Sequence, residues 1–440
     1  MLLRRHLLIQ RYATLQKLNL SSETLKIPNR KALIKALKSG EEFDVLIIGG
    51  GCTGSGAALD ATSRGLRVAL VEQEDFASGT SSRSTKLIWG GSRYLVQALI
   101  NLFHFDLRLL RSPKNTIQSF AADFKMVLNC HRERKFLLTK QPHLTSWLPI
   151  AVPLTKWVLW PPPYGYPPAA LGPLGLYPLF FKFYDALSGF SSPPSHIMWP
   201  DRARRKFPQL DTHVKYCPIF YEGQHDDART NLAIAQTAAL QGAVTVNYCR
   251  VTGLIREKLV GQTGVRQEGN NSSSKKEITR RACGRVLGAK VLDSISGESF
   301  DVVAKSVLFC GGPFTDNLRG LEEEEEAGGN TEIDGKETEA GKGKEKEKGI
   351  YIQHMPQKRA VMGASGVHLV LPAYYSPSGI GLVDMSTSDG RFLFFLPWAG
   401  HVLVGTTGKL FVLFYLLFFQ AGVFFNIDIL CLFVYLFIYF

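Results

Sequence analysis

The chain has 440 residues, 45% hydrophobic and 20% charged, with seven scattered cysteines and a formal net charge of +13. That length supports two or three domains with a large buried core, and the composition excludes a collagen-like, fibrous or wholly disordered protein. The charge is uneven: residues 1–40 hold nine Lys or Arg against one acid, Glu23, so this end carries +8 and the other 400 residues only +5. Basicity confined to one end is weak support for nucleic-acid binding, and no nucleic acid is expected as a partner. No two cysteines form a CxxC pair, so neither a disulfide framework nor a zinc site is suggested.

The first 22 residues contain Arg but no Asp or Glu, with leucines and basic residues interleaved at roughly helical spacing. Leu7-Leu8-Ile9 is too short for a secretory h-region, and a mitochondrial presequence fits better, a solvated basic helix being the plainer alternative. Residues 1–40 therefore read as presequence and linker. Residues 41–72 read as strand, Gly-rich turn, helix and strand, and residues 73–150 as largely helical. Residues 151–195 are rich in Pro and aromatics. Residues 217–260 open like a strand and continue as a helix, DARTNLAIAQTAALQG, and a strand, VTVNYCRV. Residues 266–280 read as an exposed loop and 281–310 as a small antiparallel meander. Residues 320–349, built from Glu, Gly and Lys, hold too few apolar side chains to offset their ordering entropy and read as a disordered insertion. Strand patterns return over 366–407 in VHLVLP, RFLFFLPW and HVLVGTT. Leu410 to Phe440 is almost wholly apolar. Its length permits a membrane span of about 20 residues, but Gln420, Asn426 and Asp428 interrupt it.

The chemistry is most legible at Asp44-Val45-Leu46-Ile47-Ile48, a buried-strand pattern followed at once by Gly49-Gly50-Gly51-Cys52-Thr53-Gly54, which meets GxGxxG. Gly49 permits the tight turn, Gly51 lets the backbone approach a pyrophosphate, and Gly54 lets the helix sit close to the strand. The helix N-terminus offers free N–H groups and the positive end of its dipole to phosphates. A second strand, Val68 to Val71, ends at Glu72, where a carboxylate can bind ribose hydroxyls. Ile48 to Gly54 and Glu72 are thus candidate cofactor residues. Val307 to Phe314 forms another apolar strand ending in glycines. In two-domain flavoproteins a late strand of this kind returns to the nucleotide fold and its Gly turn approaches the flavin, which favours FAD over NAD and adds Gly312 to the cofactor set.

The stretch 80–98, TSSRSTKLIWGGSRYLVQA, resembles the FAD-dependent glycerol-3-phosphate dehydrogenases of the mitochondrial, quinone-linked type, whose pattern is GTSSRSTKLIHGG-x-RYL. Further matches are Tyr221 to Arg229 with Asn231-Leu232-Ala233, Gly312 to Asp316, Gly366 to Pro372, Ser388 to Arg391, and Leu396-Pro397-Trp398 leading to Gly405-Thr406-Thr407. The resemblance implies an α/β, FAD-binding Rossmann-like fold of the two-dinucleotide-binding-domain flavoprotein kind. Its FAD-binding domain, over 41–319 and parts of 350–407, is interleaved with an antiparallel-sheet substrate domain. It implies oxidation of sn-glycerol 3-phosphate to dihydroxyacetone phosphate, with electrons passed to ubiquinone at the mitochondrial inner membrane surface. By position, Ser81, Ser82 and Lys86 are flavin-proximal, and Val251 joins the cofactor set. Arg93 and Tyr94 are substrate residues, since an Arg fork suits bidentate phosphate binding and a Tyr hydroxyl can orient the substrate. His368 is a candidate acid–base group or phosphate ligand, with a core histidine as the alternative. Thr406 marks the substrate-side end of a strand. Asp226, Asp227 and Arg229 read as a structural ion-pair network.

The sequence departs from the family in three places. Trp89 stands where the family has His, and Gly311 stands where it has Thr. No GGK-x-TTYR motif is present, so the C-terminal helical domain is expected to be missing and residues 408–440 to be foreign to the fold. Gly408-Lys409 can be encoded by a splice-donor-like GGTAAG, which makes the tail a translated intron or, alternatively, a membrane anchor. The function then stands between an active dehydrogenase and a truncated, non-catalytic flavoprotein fragment that binds FAD at most. The Pro/aromatic region 151–195, with Trp157, Trp160, Tyr164 and Tyr166, is the expected membrane-facing part.

Overall fold

The computed structural model describes residues 26–92, 94–95, 113–155, 176–208, 210–257, 284–326, 360–361, 366–376, 379–384 and 392–405. The expected presequence, residues 156–175 of the membrane-facing region, the loop 266–280, residues 327–349 of the insertion and the tail 408–440 lie outside the described residues. The chain opens with α1 (Arg30–Leu37), β1 (Phe43–Ile48), α2 (Cys52–Ser63), β2 (Val68–Val71) and β3 (Leu87–Ile88). It continues through α3 (Pro113–Lys140), β4 (Thr145–Ala151), α4 (Leu176–Leu187), β5 (His196–Met198), α5 (Pro200–Lys206), β6 (Cys217–His225) and α6 (Asp227–Leu240). Then follow β7 (Val244–Val246), β8 (Cys249–Arg256), β9 (Val286–Asp293), β10 (Ser299–Phe309), α7 (Thr315–Glu326), β11 (Leu369–Pro372), β12 (Gly381–Asp384), β13 (Leu393–Trp398) and β14 (His401–Gly405). Among the described residues no helix is long and apolar enough to cross a membrane.

These elements fall into two compact units. The first takes in the described parts of Met1–Ser82 and Asn231–Met362. Its six-stranded sheet has the order β7-β2-β1-β10-β9-β8. The four strands from β7 to β10 are parallel, and β10, β9 and β8 pair antiparallel. A parallel strand covered on both faces reads as a continuous apolar run, which is why FDVLII and VALV lack alternation. Leu46, Ile48, Ala69 and Val71 join one core with Leu33 and Leu37 of α1, whereas Ile47, Val68 and Leu70 join another with Ala58 of α2 and Ala238 of α6.

Three expectations are corrected in this unit. Residues 30–37 are not linker. Asn29 caps α1, its side chain accepting from the Ala32 N–H at 3.0 Å, and Arg30 bonds Asp293 Oδ1 at 2.6 Å and the Asn247 carbonyl at 2.5 Å. Leu33 and Leu37, four apart on one helix face, were hidden among Lys and Arg. Replacing Leu37, 1% exposed, with Ala is expected to destabilise this unit by about 2–5 kcal/mol. An unchanged midpoint in urea unfolding would return the segment to a linker. VTVNYCRV is two strands, β7 and β8, because Tyr248 takes φ +52 and its N–H turns to the Glu74 carbonyl at 2.8 Å. The helix α7 runs to Glu326, so the segment expected as an insertion from 320 begins as helix.

The second unit takes in the described parts of Arg83–Thr230 and Gly363–Phe440. Its sheet has the order β11-β14-β13-β12-β4-β6-β3, with β5 also on β6. The expected antiparallel sheet is mixed: β12 pairs parallel to β4 at Gly381 with Ile150 and Leu382 with Ala151. These two strands are joined by a long excursion rather than a hairpin, and only short turns impose antiparallel pairing. One core gathers Leu148, Ile150, Phe181, Tyr184, Phe220, Val383 and Phe394, and a second gathers Met198, Phe207, Cys217 and Ile219.

Candidate active site

In the first unit the glycine loop is fixed from four directions. Gly49 takes φ +109, and a Cβ there would lie 2.5 Å from the Cys310 carbonyl oxygen. The Gly49 N–H donates to the Val71 carbonyl at 2.9 Å, and the Ile48 carbonyl accepts from the Cys310 N–H at 2.8 Å. The Gly50 carbonyl accepts from Asn231 Nδ2 at 2.9 Å, Ser55 Oγ at 3.2 Å and the Ala77 N–H at 3.2 Å. The Gly50 N–H donates to Glu72 Oε2 at 2.5 Å, and Glu72 Oε1 accepts from the Glu74 N–H at 3.0 Å. Burial pushes the Glu72 carboxyl above the usual range, against the lowering effect of those N–H groups.

At the N-terminus of α2 the Cys52 N–H donates to Ser81 Oγ at 2.9 Å. Cys52 and Thr53 are exposed in the first turn, where helix N–H groups lack intrahelical partners and favour anions. A Cβ on Gly54 would fall on the Gly49 carbonyl oxygen, so only glycine lets the helix close on the strand. A Cβ on Gly51 would meet only Ser81 Oγ, at 3.1 Å. The space over Gly51, the open helix end and the carboxylate at the tip of β2 together fit the pyrophosphate and ribose of FAD. Ser82 Oγ donates to the Gly79 carbonyl at 3.3 Å. Gly312 is exposed at φ +55 after β10. Val251 is 8% exposed within the core, which leaves its main chain rather than its side chain for a cofactor.

In the second unit the Lys86 side chain lies with Asp227 and Trp398. Its ammonium bonds Asp227 Oδ1 at 2.6 Å and stands 5.7 Å from the centre of the Trp398 ring. Asp227 also accepts from the N–H groups of Ser84 and Ala228, each at 2.9 Å. Asp226 Oδ1 caps α6 by accepting from the Arg229 N–H at 3.0 Å, and Arg229 itself is exposed. His368 precedes β11 against Gly405, where a Cβ would collide with the imidazole. Burial lowers the His368 pKa, the Lys86 cation lowers it further, and Asp227 opposes both. Tyr94 is 52% exposed. Trp89 packs edge-on to Phe394 with ring centres 5.3 Å apart. Arg93 and Thr406 lie outside the described residues.

Cys310 lies in the late strand expected to return to the nucleotide fold, and that strand pairs with β1; Asn231 and Phe76 also shape the loop and were not singled out as site residues. The Asn231 amide reaches the Gly50 carbonyl across 181 residues, and Phe76 would lie 2.6 Å from a Cβ on Gly50. For these two the only sequence signal was the Asn in the stretch matching the family.

Residues 44–333 match the family described as FAD dependent oxidoreductase. The chain belongs to that family, and FAD is its cofactor. The mitochondrial glycerol-3-phosphate dehydrogenase of Bos taurus is similar at 41% identity over 382 residues, 86% of this chain and 41% of that protein. The corresponding protein of Mus musculus is 40% identical over the same shares of the two chains, 86% and 41%. The chain thus spans about two-fifths of the length of these relatives. The glycerol-3-phosphate dehydrogenase of Bacillus halodurans, solved in complex with FAD, is similar at 24% identity and a TM-score of 0.49, with 88% of this chain and 51% of that one covered.

Proposed function

We propose that this protein oxidises sn-glycerol 3-phosphate to dihydroxyacetone phosphate and passes the electrons to ubiquinone at the mitochondrial inner membrane. The geometry that carries the redox half of this reading is the glycine loop with Glu72 and the open N-terminus of α2. The similarity to mitochondrial glycerol-3-phosphate dehydrogenases supports the substrate and compartment. Bound FAD supplies the acceptor for the C2 hydride. First-turn N–H groups of α2 hold the pyrophosphate, and the Glu72 carboxylate accepts from ribose hydroxyls. The Arg93 guanidinium binds the substrate phosphate, with the Tyr94 hydroxyl and Thr406 orienting the glycerol. His368, kept neutral near physiological pH by its surroundings, accepts the C2 hydroxyl proton on an imidazole nitrogen.

Glu72→Gln retains an acceptor for the Gly50 N–H but loses the charged acceptor for ribose. A charge-assisted hydrogen bond contributes about 1.5–3 kcal/mol, so FAD affinity is expected to fall about tenfold or more. Fluorescence titration of the apo chain with FAD measures this, and an unchanged affinity would remove Glu72 from the site. The overall reading is tested by turnover of the FAD-loaded chain with a soluble ubiquinone analogue. It expects consumption of sn-glycerol 3-phosphate and not of glycine. Consumption of glycine alone, or of neither, would overturn it.

A further inference from the structure

We propose that Asn231 is a positioning residue for FAD, its amide holding the Gly50–Gly51 peptide in the orientation that turns the Gly51 N–H toward the pyrophosphate. This rests on the reading of the glycine loop as the pyrophosphate site. Asn231, in α6, belongs to the first unit with the loop and is 2% exposed. Its Nδ2 donates to the Gly50 carbonyl at 2.9 Å, and the buried Ser55 Oγ donates to the same oxygen at 3.2 Å. The Ala77 N–H is the third donor, also at 3.2 Å. A carbonyl oxygen has two lone pairs, so these donors saturate it. Asn231 Oδ1 is buried without a hydrogen-bond partner, so among the described residues this side-chain amide serves Gly50 alone. In a planar trans peptide the carbonyl and the N–H that follows it point opposite ways. With the Gly50 carbonyl turned to its three donors, the Gly51 N–H points away from them, and among the described residues nothing accepts from it.

A lock is needed because this peptide can turn over. Reversing a peptide plane changes ψ of the residue before it and φ of the residue after it by about half a turn. Gly51 has φ −75 and ψ −175. Reversal would carry its φ to about +105, a region that glycine enters without steric cost. A Cβ at this position would oppose the change; two glycines in series do not. In the reversed form the Gly50 carbonyl oxygen would face the phosphate anion and repel it. The glycines that let a phosphate approach therefore also admit a form of the loop that rejects it, and the donors on Gly50 make the choice. Glu72 cannot make it, because it takes the Gly50 N–H, which belongs to the preceding peptide. The Ala77 donor is main chain, which leaves Asn231 and Ser55 as the side chains that decide. Of the two, Asn231 makes the shorter bond and brings it from 181 residues along the chain.

The test is fluorescence titration of the full apo chain with FAD, paired with phosphorus NMR of the FAD-loaded chain. Asn231→Leu removes the amide at nearly constant size, and its FAD affinity is expected to fall about tenfold. Ser55→Ala should act in the same sense. The double variant should lose more than the product of the two single losses, since either donor alone still pins the peptide. In Asn231→Leu the pyrophosphate resonances of bound FAD should move toward those of free FAD. A residue that only held α6 in the fold would lower the melting temperature without moving those resonances or coupling to Ser55. Native affinity and native phosphorus shifts in Asn231→Leu would overturn the proposal, as would a double variant whose loss equals the product of the singles. Should Asn231→Leu not fold, Asn231→Ala takes its place with the same outcomes. Native-chain FAD that binds but keeps the resonances of free FAD would instead overturn the pyrophosphate reading on which the proposal rests.

Discussion

Gly54→Val is expected to yield a chain that purifies without flavin and unfolds at a markedly lower temperature. A Cβ at Gly54 would fall on the Gly49 carbonyl oxygen, with the Gly49 carbonyl carbon at 3.1 Å and Cys310 Cβ at 3.2 Å. The first two obstacles are backbone, and the third sits just beyond the end of β10. None can swing aside, so α2 must lift from the sheet and carry its first-turn N–H groups off target. Overpacking of this kind costs about 3 kcal/mol or more. Gly51→Val differs: its nearest neighbour is the Ser81 hydroxyl at 3.1 Å, which can rotate. That variant should keep its fold and lose flavin, because the branched side chain occupies the pyrophosphate space. Gly56→Ala, with nothing within 4 Å of the new Cβ, serves as the control and should gain up to ~1 kcal/mol of helix stability. The ratio of flavin absorbance to protein and a thermal melt separate the three. A yellow, stable Gly54→Val chain would refute close helix–strand packing at this loop.

Arg134→Met is expected to destabilise the second unit by about 3–5 kcal/mol, because it strands a buried carboxylate. Arg134 and Glu222 are 1% and 0% exposed in their side chains. Glu222 receives the Arg134 guanidinium, the Tyr184 hydroxyl and the Gly90 N–H, the last at 2.8 Å. Arg134 also donates to the Tyr221 carbonyl at 3.1 Å and lies 5.5 Å from the Trp147 ring centre. Beside it, burial and the Arg134 charge push His131 down to about 3, so this imidazole cannot stand in as a cation at neutral pH. The double variant Arg134→Met with Glu222→Leu should recover much of the loss, since an apolar replacement of a whole buried pair is often tolerated. Urea unfolding of the four corners of this cycle gives the coupling. Equal midpoints for Arg134→Met and the native chain would show that the pair contributes nothing.

The nucleotide loop was legible in the sequence because its determinants are local: an apolar strand, glycines at fixed offsets and an acid at the end of the next strand. The late strand that carries Cys310 to the loop was legible as an apolar run ending in glycines, and it does pair with β1; the Asn231 amide was not, because it reaches the loop across 181 residues. Arg134 sits in a run, HRERK, that reads as a solvated helix face, and nothing near it announces Glu222, 88 residues away. Lys86 came to attention through a family motif that suggested the flavin. Its bond to Asp227 depends on how β3 and the start of α6 fold within the second unit, which no spacing rule encodes. The helix α1 was missed for a compositional reason: five of its eight residues, Arg30 to Leu37, are apolar or small at amphipathic spacing, but the segment lies inside the most basic stretch of the chain.

The most direct measurement is a single-turnover one. The FAD-loaded chain, free of oxygen and quinone, is mixed with sn-glycerol 3-phosphate while the visible flavin band is followed. The proposed function predicts bleaching of that band with formation of dihydroxyacetone phosphate equimolar with the flavin reduced. A spectrum that stays oxidised, in a sample that dithionite then bleaches fully, would contradict it.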